Sequence, residues 1–241
     1  MTHLNEFFRQ VIEFVFPPYC IVCDGRLNPS DKLVCLTCRT ELKYVDGVVS
    51  EGVVDYDCID EIRAGVYYDE RLQTLIHYFK YQRALALADT FASILESLIK
   101  EHKMWREADL LIPVPLHKIK LRERSFNQSE EVAKALSIKV SIPCDSKVLF
   151  RRVNTVSQTQ MSGAQERIKN MSGVFAVRKN NILNGKTIIL VDDLITTGST
   201  ANACARVLKE HGAKKVLVLT VGRPFFDLKI SKELLQLGST A

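Results

Sequence analysis

Asp192 and Asp193 stand side by side at the end of an apolar run and are followed by Leu194, Ile195, Thr196, Thr197, Gly198, Ser199 and Thr200. Two adjacent carboxylates repel each other unless something lies between them. Sugar hydroxyls, which donate to carboxylates, or a Mg2+ ion would relieve that repulsion. The hydroxyl-rich loop lies at or just before a helix start, where backbone N–H groups are unpaired and the helix dipole favours an anion. Gly198 lets the backbone approach a phosphate closely, and Thr196, Thr197, Ser199 and Thr200 add side-chain donors. The dipole contributes only about 0.3–1 kcal/mol, or about 2 when partly buried, so converging hydrogen bonds must supply most of the affinity. Together these residues suit a phosphorylated sugar. A hydrophilic turn between a core strand and a core helix is the competing reading. The sequence has neither G-x-x-x-x-G-K-[ST] nor G-x-G-x-x-G, which argues against a P-loop or a dinucleotide fold.

A second charged set runs from His117 to Gln128 and contains Lys118, Lys120, Arg122 and Arg124. Arginine forks match phosphate oxygens bidentately, so this loop suits a pyrophosphate; a solvated basic face is the alternative. A third set is Cys20-x-x-Cys23 and Cys35-x-x-Cys38, with eleven residues between the pairs. Two such pairs complete the closed thiolate tetrahedron of a structural zinc site, whose metal acts as a staple and not as a catalyst. Disulfide pairing is the alternative. Cys58, Cys144 and Cys204 lack partners at ligand spacing, and Cys204 reads as a small buried hydrophobe.

These groups need a scaffold. Residues 187–191 read as a strand buried on both faces of a parallel sheet, 201–211 as an amphipathic helix, Gly212 as its C-cap glycine and 214–221 as the next strand. The acid pair and loop then lie at the carboxyl end of a strand, where open α/β sheets bind ligands. Residues 109–116 read as another strand, closed by Pro113 and Pro115. A helix follows the basic loop, with Asn127 as N-cap and Glu130 at capping-box spacing. Residues 62–68 suggest a strand, and 71–81 and 84–102 suggest helices. Lys80-Tyr81 sits at the break between those helices, either as a solvated helix end or near the site. Short strands at 147–150 and 174–177 flank a long polar stretch, 151–170, which holds Thr155, Gln158, Thr159, Gln160, Arg167 and Asn170; loops of that length are usually functional or disordered. Leu4, Phe7, Phe8, Val11, Ile12 and Val15 recur at helical spacing, in a segment too short to span a bilayer.

With 241 residues, 46% hydrophobic and 25% charged, the composition is that of an ordinary soluble globular protein. A net charge of +5 permits an anionic ligand without requiring nucleic acid. No signal peptide or membrane span is visible, and the cysteine usage suits a reducing, cytoplasmic setting.

The order of apolar run, Asp192-Asp193 and Leu194 to Thr200 resembles the 5-phosphoribosyl-1-pyrophosphate (PRPP) motif of type I phosphoribosyltransferases. That likeness implies ribose 2′- and 3′-hydroxyls on the two acids and the 5′-phosphate on the loop. Further features are the cysteine pairs, Pro113-Val114-Pro115-Leu116-His117, Arg122-x-Arg124-x-Phe126-Asn127-Gln128, and Thr155-x-x-Gln158 with Glu166-Arg167 and Asn170. With these the chain resembles, over about residues 17–222, the ComF family of competence-associated phosphoribosyltransferase-like proteins, GntX-like relatives included. The family usually has glycine where Ser125 stands and prolines where Val156 and Ser157 stand.

The resemblance implies an α/β, type I phosphoribosyltransferase fold: a mostly parallel five-stranded sheet, helices on both faces, a hood, and a small amino-terminal zinc ribbon. The expected organisation is 1–50 for an amphipathic helix and zinc ribbon, 51–105 for a helical hood, 106–225 for the core and 226–241 for a tail. The activity implied is phosphoribosyl transfer from Mg-PRPP to an unknown acceptor. Asp192, Asp193, Arg152 and Arg167 would serve catalysis, and Lys118, Arg122 and Arg124 would hold pyrophosphate, with Lys120 a possible helper. DNA uptake in natural transformation is implied as the setting, with single-stranded DNA and a competence helicase as partners. A non-catalytic PRPP sensor that handles single-stranded DNA is the alternative. A receiver-type phosphoacceptor site is a weaker reading, because it needs an acceptor Asp on another strand and a distant Lys.

Overall fold

The apolar run before the acid pair is central to the sheet, and its alternation shows how the layers form. A computed structural model describes residues 17–49, 57–152, 173–178 and 182–225. In chain order its elements are α1 (Leu36–Thr40), β1 (Glu61–Tyr67), α2 (Glu70–Tyr81), α3 (Leu87–Glu101), α4 (Lys103–Arg106), β2 (Leu110–Pro113), α5 (Lys118–Arg124), α6 (Gln128–Val140), β3 (Leu149–Arg151), β4 (Phe175–Val177), β5 (Thr187–Leu194), α7 (Ser199–Glu210) and β6 (Lys215–Arg223). The main sheet has the order β1-β6-β5-β2 and every pairing in it is parallel.

Side chains alternate across a strand, so each central strand feeds two cores. Ile189 and Val191 of β5, Leu217, Leu219 and Val221 of β6, and Leu111 of β2 face α2, α3 and α6. Ile188 and Leu190, Val216 and Val218, and Leu110 and Ile112 face α7 and the β3–β4 hairpin. Helices therefore cover both faces, as the resemblance implies. The cysteine-bearing segment joins the first core through Cys20, Leu27, Val34, Cys38 and Leu42. Its continuation lies antiparallel along the outer edge of β1, with a bridge between Tyr44 and Val66 and bonds from Val45 N to Gly65 O and Val49 N to Ile62 O.

Two differences from the sequence expectations have local causes. Four strands, not five, form the parallel sheet among the described residues. The place beyond β2 holds a single parallel bridge, Leu111 to Cys144, because Pro143 offers a carbonyl to Leu111 N and has no N–H to extend the ladder. The basic stretch expected as a loop is a short helix, α5, whose N-cap His117 accepts from Ile119 N at 3.3 Å.

Glycine sets how near α2 comes to the sheet. A Cβ on Gly222 would stand 2.4 Å from Leu72 Cδ2 and 2.9 Å from Leu194 Cδ2, so only hydrogen leaves room for Leu72 of α2 against the end of β6. The approach matters because the last turn of α2 carries Lys80.

Candidate functional site

Asp192 and Asp193 occupy the last turn of the pleat in β5, at the carboxyl edge of the sheet. Asp192 Oδ1 accepts from Ser129 Oγ at 2.8 Å and from Asp193 N at 2.9 Å. Asp193 Oδ1 accepts from Leu194 N at 3.0 Å, and its other oxygen ion-pairs with the Lys80 ammonium. Asp192 keeps some exposed surface, yet its carboxyl is closely packed around. Burial pushes that carboxyl from 3.8 up to about 7, and the Asp193 charge adds to the rise. The Ser129 hydroxyl, the Asp193 amide and Lys80 pull the other way without cancelling it.

Beyond the acids the loop turns into α7. Ile195 is buried and donates its N–H to Gly222 O at 3.0 Å, anchoring the loop on β6. Leu194 Cδ2 packs by Gly222. Thr196 and Thr197 are exposed, and Thr197 Oγ1 lies 2.9 Å from Ser199 Oγ. Gly198, at φ +80°, is the N-cap of α7 and provides no side-chain cap, so the helix N-terminus is open to an anion beside Ser199 and Thr200. The loop thus sets an uncapped helix N-terminus and a cluster of hydroxyls next to two carboxylates.

The basic segment is brought alongside because β2 and β5 are neighbours, with Pro113 opposite Val191 and Val114 N donating to Val191 O at 2.9 Å. Asn127 caps α6 by accepting from Ser129 N at 3.2 Å, while its Nδ2 donates to Val114 O at 3.0 Å. One asparagine thereby ties the end of β2 to the helix start that presents Ser129 to Asp192. Glu130 pairs with Lys134 at 2.9 Å and not back to the cap. Lys118, Lys120 and Arg122 are exposed on α5, which has no buried residue. Arg124 is half-buried, donates to Tyr81 Oη at 3.3 Å and lies 5.2 Å from that ring's centroid. Three buried nitrogens of this segment have no hydrogen-bond partner among the described residues: His117 Nε2, Arg124 Nε and Gln128 Nε2.

Ser125, between α5 and α6, sits at φ +67° and ψ 0°, in the left-handed region. Glycine is at home there and serine is not. The chain therefore makes a left-handed bend at Ser125 without a glycine.

Arg152 follows β3 and donates its N–H to Val174 O at 2.6 Å. The β3–β4 hairpin it helps close packs against α7, the helix that starts at the hydroxyl-rich loop. Thr155, Gln158, Arg167 and Asn170 lie outside the described residues, as do the amino-terminal apolar stretch and the tail from 226 onward. Cys204 sits on α7 fully buried, and burial raises its thiol well above the ordinary value, as befits a packing residue.

Two site contacts escaped the sequence reading. Nothing in the spacing of Ser129 marks it as a donor to Asp192, although it lies one residue past the Phe126-Asn127-Gln128 run. Lys80 was one of two open readings, and the structure places it on Asp193 with 16% of its side chain exposed.

At the other end of the molecule the four sulfurs of Cys20, Cys23, Cys35 and Cys38 all lie within 4.8 Å of one another, a set that could hold a metal ion. Cys35 N donates to Cys20 Sγ and Cys38 N to Cys35 Sγ, each at 3.4 Å, so backbone amides orient two of the four sulfurs. Cys58, Cys144 and Cys204 stand apart from this cluster.

A parallel sheet with an acid pair, a hydroxyl-rich loop at a helix N-terminus and a basic segment at its carboxyl edge defines a phosphoribosyltransferase-type domain. Accordingly, residues 82–224 match the family model described as the phosphoribosyl transferase domain. Competence protein F of Haemophilus influenzae is 30% identical over 85% of this chain and 96% of its own length. Competence protein ComFC of Bacillus subtilis is 28% identical over 80% and 89%. DNA utilization protein YhgH of Escherichia coli is 31% identical over 83% and 87%. The chain belongs to the competence protein F family, and in it a phosphoribosyl transferase domain is joined to an amino-terminal cysteine cluster. Among the described residues no helix is long and apolar enough to cross a membrane.

Proposed function

We propose that the chain binds Mg-PRPP at the carboxyl edge of its sheet and transfers the phosphoribosyl group to an acceptor, releasing pyrophosphate. The observation that supports this best is the meeting, at one edge, of an acid pair, an uncapped helix N-terminus and a basic segment with unpartnered buried nitrogens. Buried polar atoms without partners are rare in folded proteins, and a bound anion would satisfy these three. In this reading the ribose hydroxyls donate to Asp192 and Asp193, and the 5′-phosphate sits on Thr196 to Thr200. Pyrophosphate lies along Lys118, Arg122 and Arg124. Breaking the bond between C1′ and the pyrophosphate oxygen leaves positive charge on the sugar and negative charge on the leaving group, and the acceptor then attacks C1′. Cations along α5 lie where the leaving group gains charge, so they stabilise the transition state more than the ground state. Arg152 and Arg167, at the two ends of the long polar stretch, would help close the site from water. Mg2+ bound to the diphosphate would neutralise part of its charge, and Zn2+ on the four cysteines would serve as a staple.

Calorimetric titration with PRPP, with and without Mg2+, tests the binding. Pyrophosphate release over a panel of bases, amines and ammonia tests the transfer. Saturable binding strengthened by Mg2+ is expected, and no heat at millimolar PRPP would refute it.

The exposure of α5 from Lys118 to Glu123 also favours a second reading, in which this surface handles single-stranded DNA in a cytoplasmic competence machinery. Four cations, exposed Ile119 and Leu121, and exposed Tyr81 under Arg124 offer phosphate contacts and a stacking face. Oligonucleotide binding that falls steeply with salt would support it, and no binding at low salt would exclude it.

A further inference from the structure

The last turn of α2 carries three consecutive side chains that reach three parts of the site. Phe79 is fully buried with its ring centroid 5.7 Å from that of Phe126. Lys80 ion-pairs with Asp193, and Tyr81 receives Arg124. Only 16% of the Lys80 side chain and 14% of the Asp193 side chain remain exposed. Withdrawing one member of so enclosed a pair leaves the other charge stranded and desolvated. A ligand that takes over Asp193 must therefore provide for Lys80 as well.

We propose that Lys80 is the specificity-determining counter-cation of the acid pair, displaced from Asp193 by an incoming sugar and re-paired only when that sugar carries a diphosphate. The inference rests on the PRPP reading of the site. Ribose hydroxyls that donate to Asp193 need the lone pairs the ammonium now holds. Once freed, the ammonium remains on the turn that carries Tyr81 and, through it, Arg124, beside the basic segment. A pyrophosphate lying along that segment gives it a new partner. Ribose 5-phosphate, whose single phosphate goes to the N-terminus of α7, gives it none. Occupancy of the acid pair thus becomes conditional on occupancy of the basic segment, and the two are joined by one turn of a helix that belongs to neither. With no sugar present the same ammonium keeps divalent ions off the pair.

Two measurements on the wild type, Lys80→Met and Lys80→Arg test this. Calorimetry compares PRPP with ribose 5-phosphate, and electron paramagnetic resonance follows Mn2+ binding with no sugar present. In Lys80→Met the preference for PRPP over ribose 5-phosphate should fall about tenfold or more, and sugar-free Mn2+ should bind about tenfold tighter, while Lys80→Arg stays near wild type. An unchanged preference, or unchanged Mn2+ affinity, in a folded Lys80→Met protein overturns the proposal. Should that variant fail to fold, Lys80→Gln, which keeps a donor to Asp193 without the charge, is measured in its place. If the wild type binds neither sugar, the PRPP reading falls and the Mn2+ measurement alone decides the role of Lys80.

Discussion

Asp192→Asn should stabilise the empty protein while destroying its binding site. Asn Oδ1 can keep both acceptor bonds of the native carboxylate, from Ser129 Oγ and Asp193 N. What disappears is an acid that the fold holds in an unfavourable charge state. Its carboxyl is raised from 3.8 to about 7 by burial first and the Asp193 charge second. In the unfolded chain Asp192 loses its proton near 3.8, and in the native protein near 7. Between those values the native state holds more protons than the unfolded state, so this group lowers stability as pH rises through the window and costs most above it. At about 1.36 kcal/mol per pH unit the ceiling is about 4 kcal/mol. Asp192 retains some exposed surface, so we expect about half of that, roughly 2 kcal/mol. For a chain of this size that is about 4–8 °C in melting temperature. Thermal unfolding of both proteins from about pH 4 to about pH 8 measures it: the variant should melt higher at the alkaline end, with the curves converging at the acid end. A variant no more stable than wild type at the alkaline end, or a gap that does not change with pH, would refute the reasoning. PRPP binding should be lost in either case.

Ser129→Ala removes the 2.8 Å bond to Asp192. A lost bond to a charged group is worth about 1.5–3 kcal/mol, so PRPP affinity measured by calorimetry should fall at least tenfold. Ser125→Gly relieves a serine held at φ +67°. It should raise the urea midpoint by the equivalent of about 1 kcal/mol, and no gain would mean the turn is unstrained. Cys38→Ser takes one sulfur from the four-thiol cluster. Bound zinc, measured by atomic absorption, should drop from about one equivalent to near none, and the segment from Pro18 to Leu42 should become sensitive to protease.

What could be read in the sequence was what is local along the chain. The strand of residues 187–194, its acid pair, the glycine at 198 and the helix after it form one contiguous unit, so periodicity and cap chemistry were enough to place them. The same holds for the two cysteine pairs and for Asn127 at the start of α6. The basic segment was misread as a loop because α5 buries nothing, and a helix with no apolar face leaves no periodic trace. The single bridge at Cys144 was equally hidden, since one proline decides where the ladder stops.

The contacts that give the site its electrical character come from elsewhere in the chain. Lys80 reaches Asp193 only because Gly222 lets α2 settle against the end of β6, and Ser129 reaches Asp192 only because Asn127 clips its helix to Val114. Neither approach has a signature at Lys80 or Ser129 themselves. A scaffold has no use for either feature alone, since an acid held near neutrality lowers stability and a lysine drawn into a largely enclosed pair gives up solvation. They make physical sense together if the edge of the sheet must hold two carboxylates ready for a sugar and a cation ready to leave them.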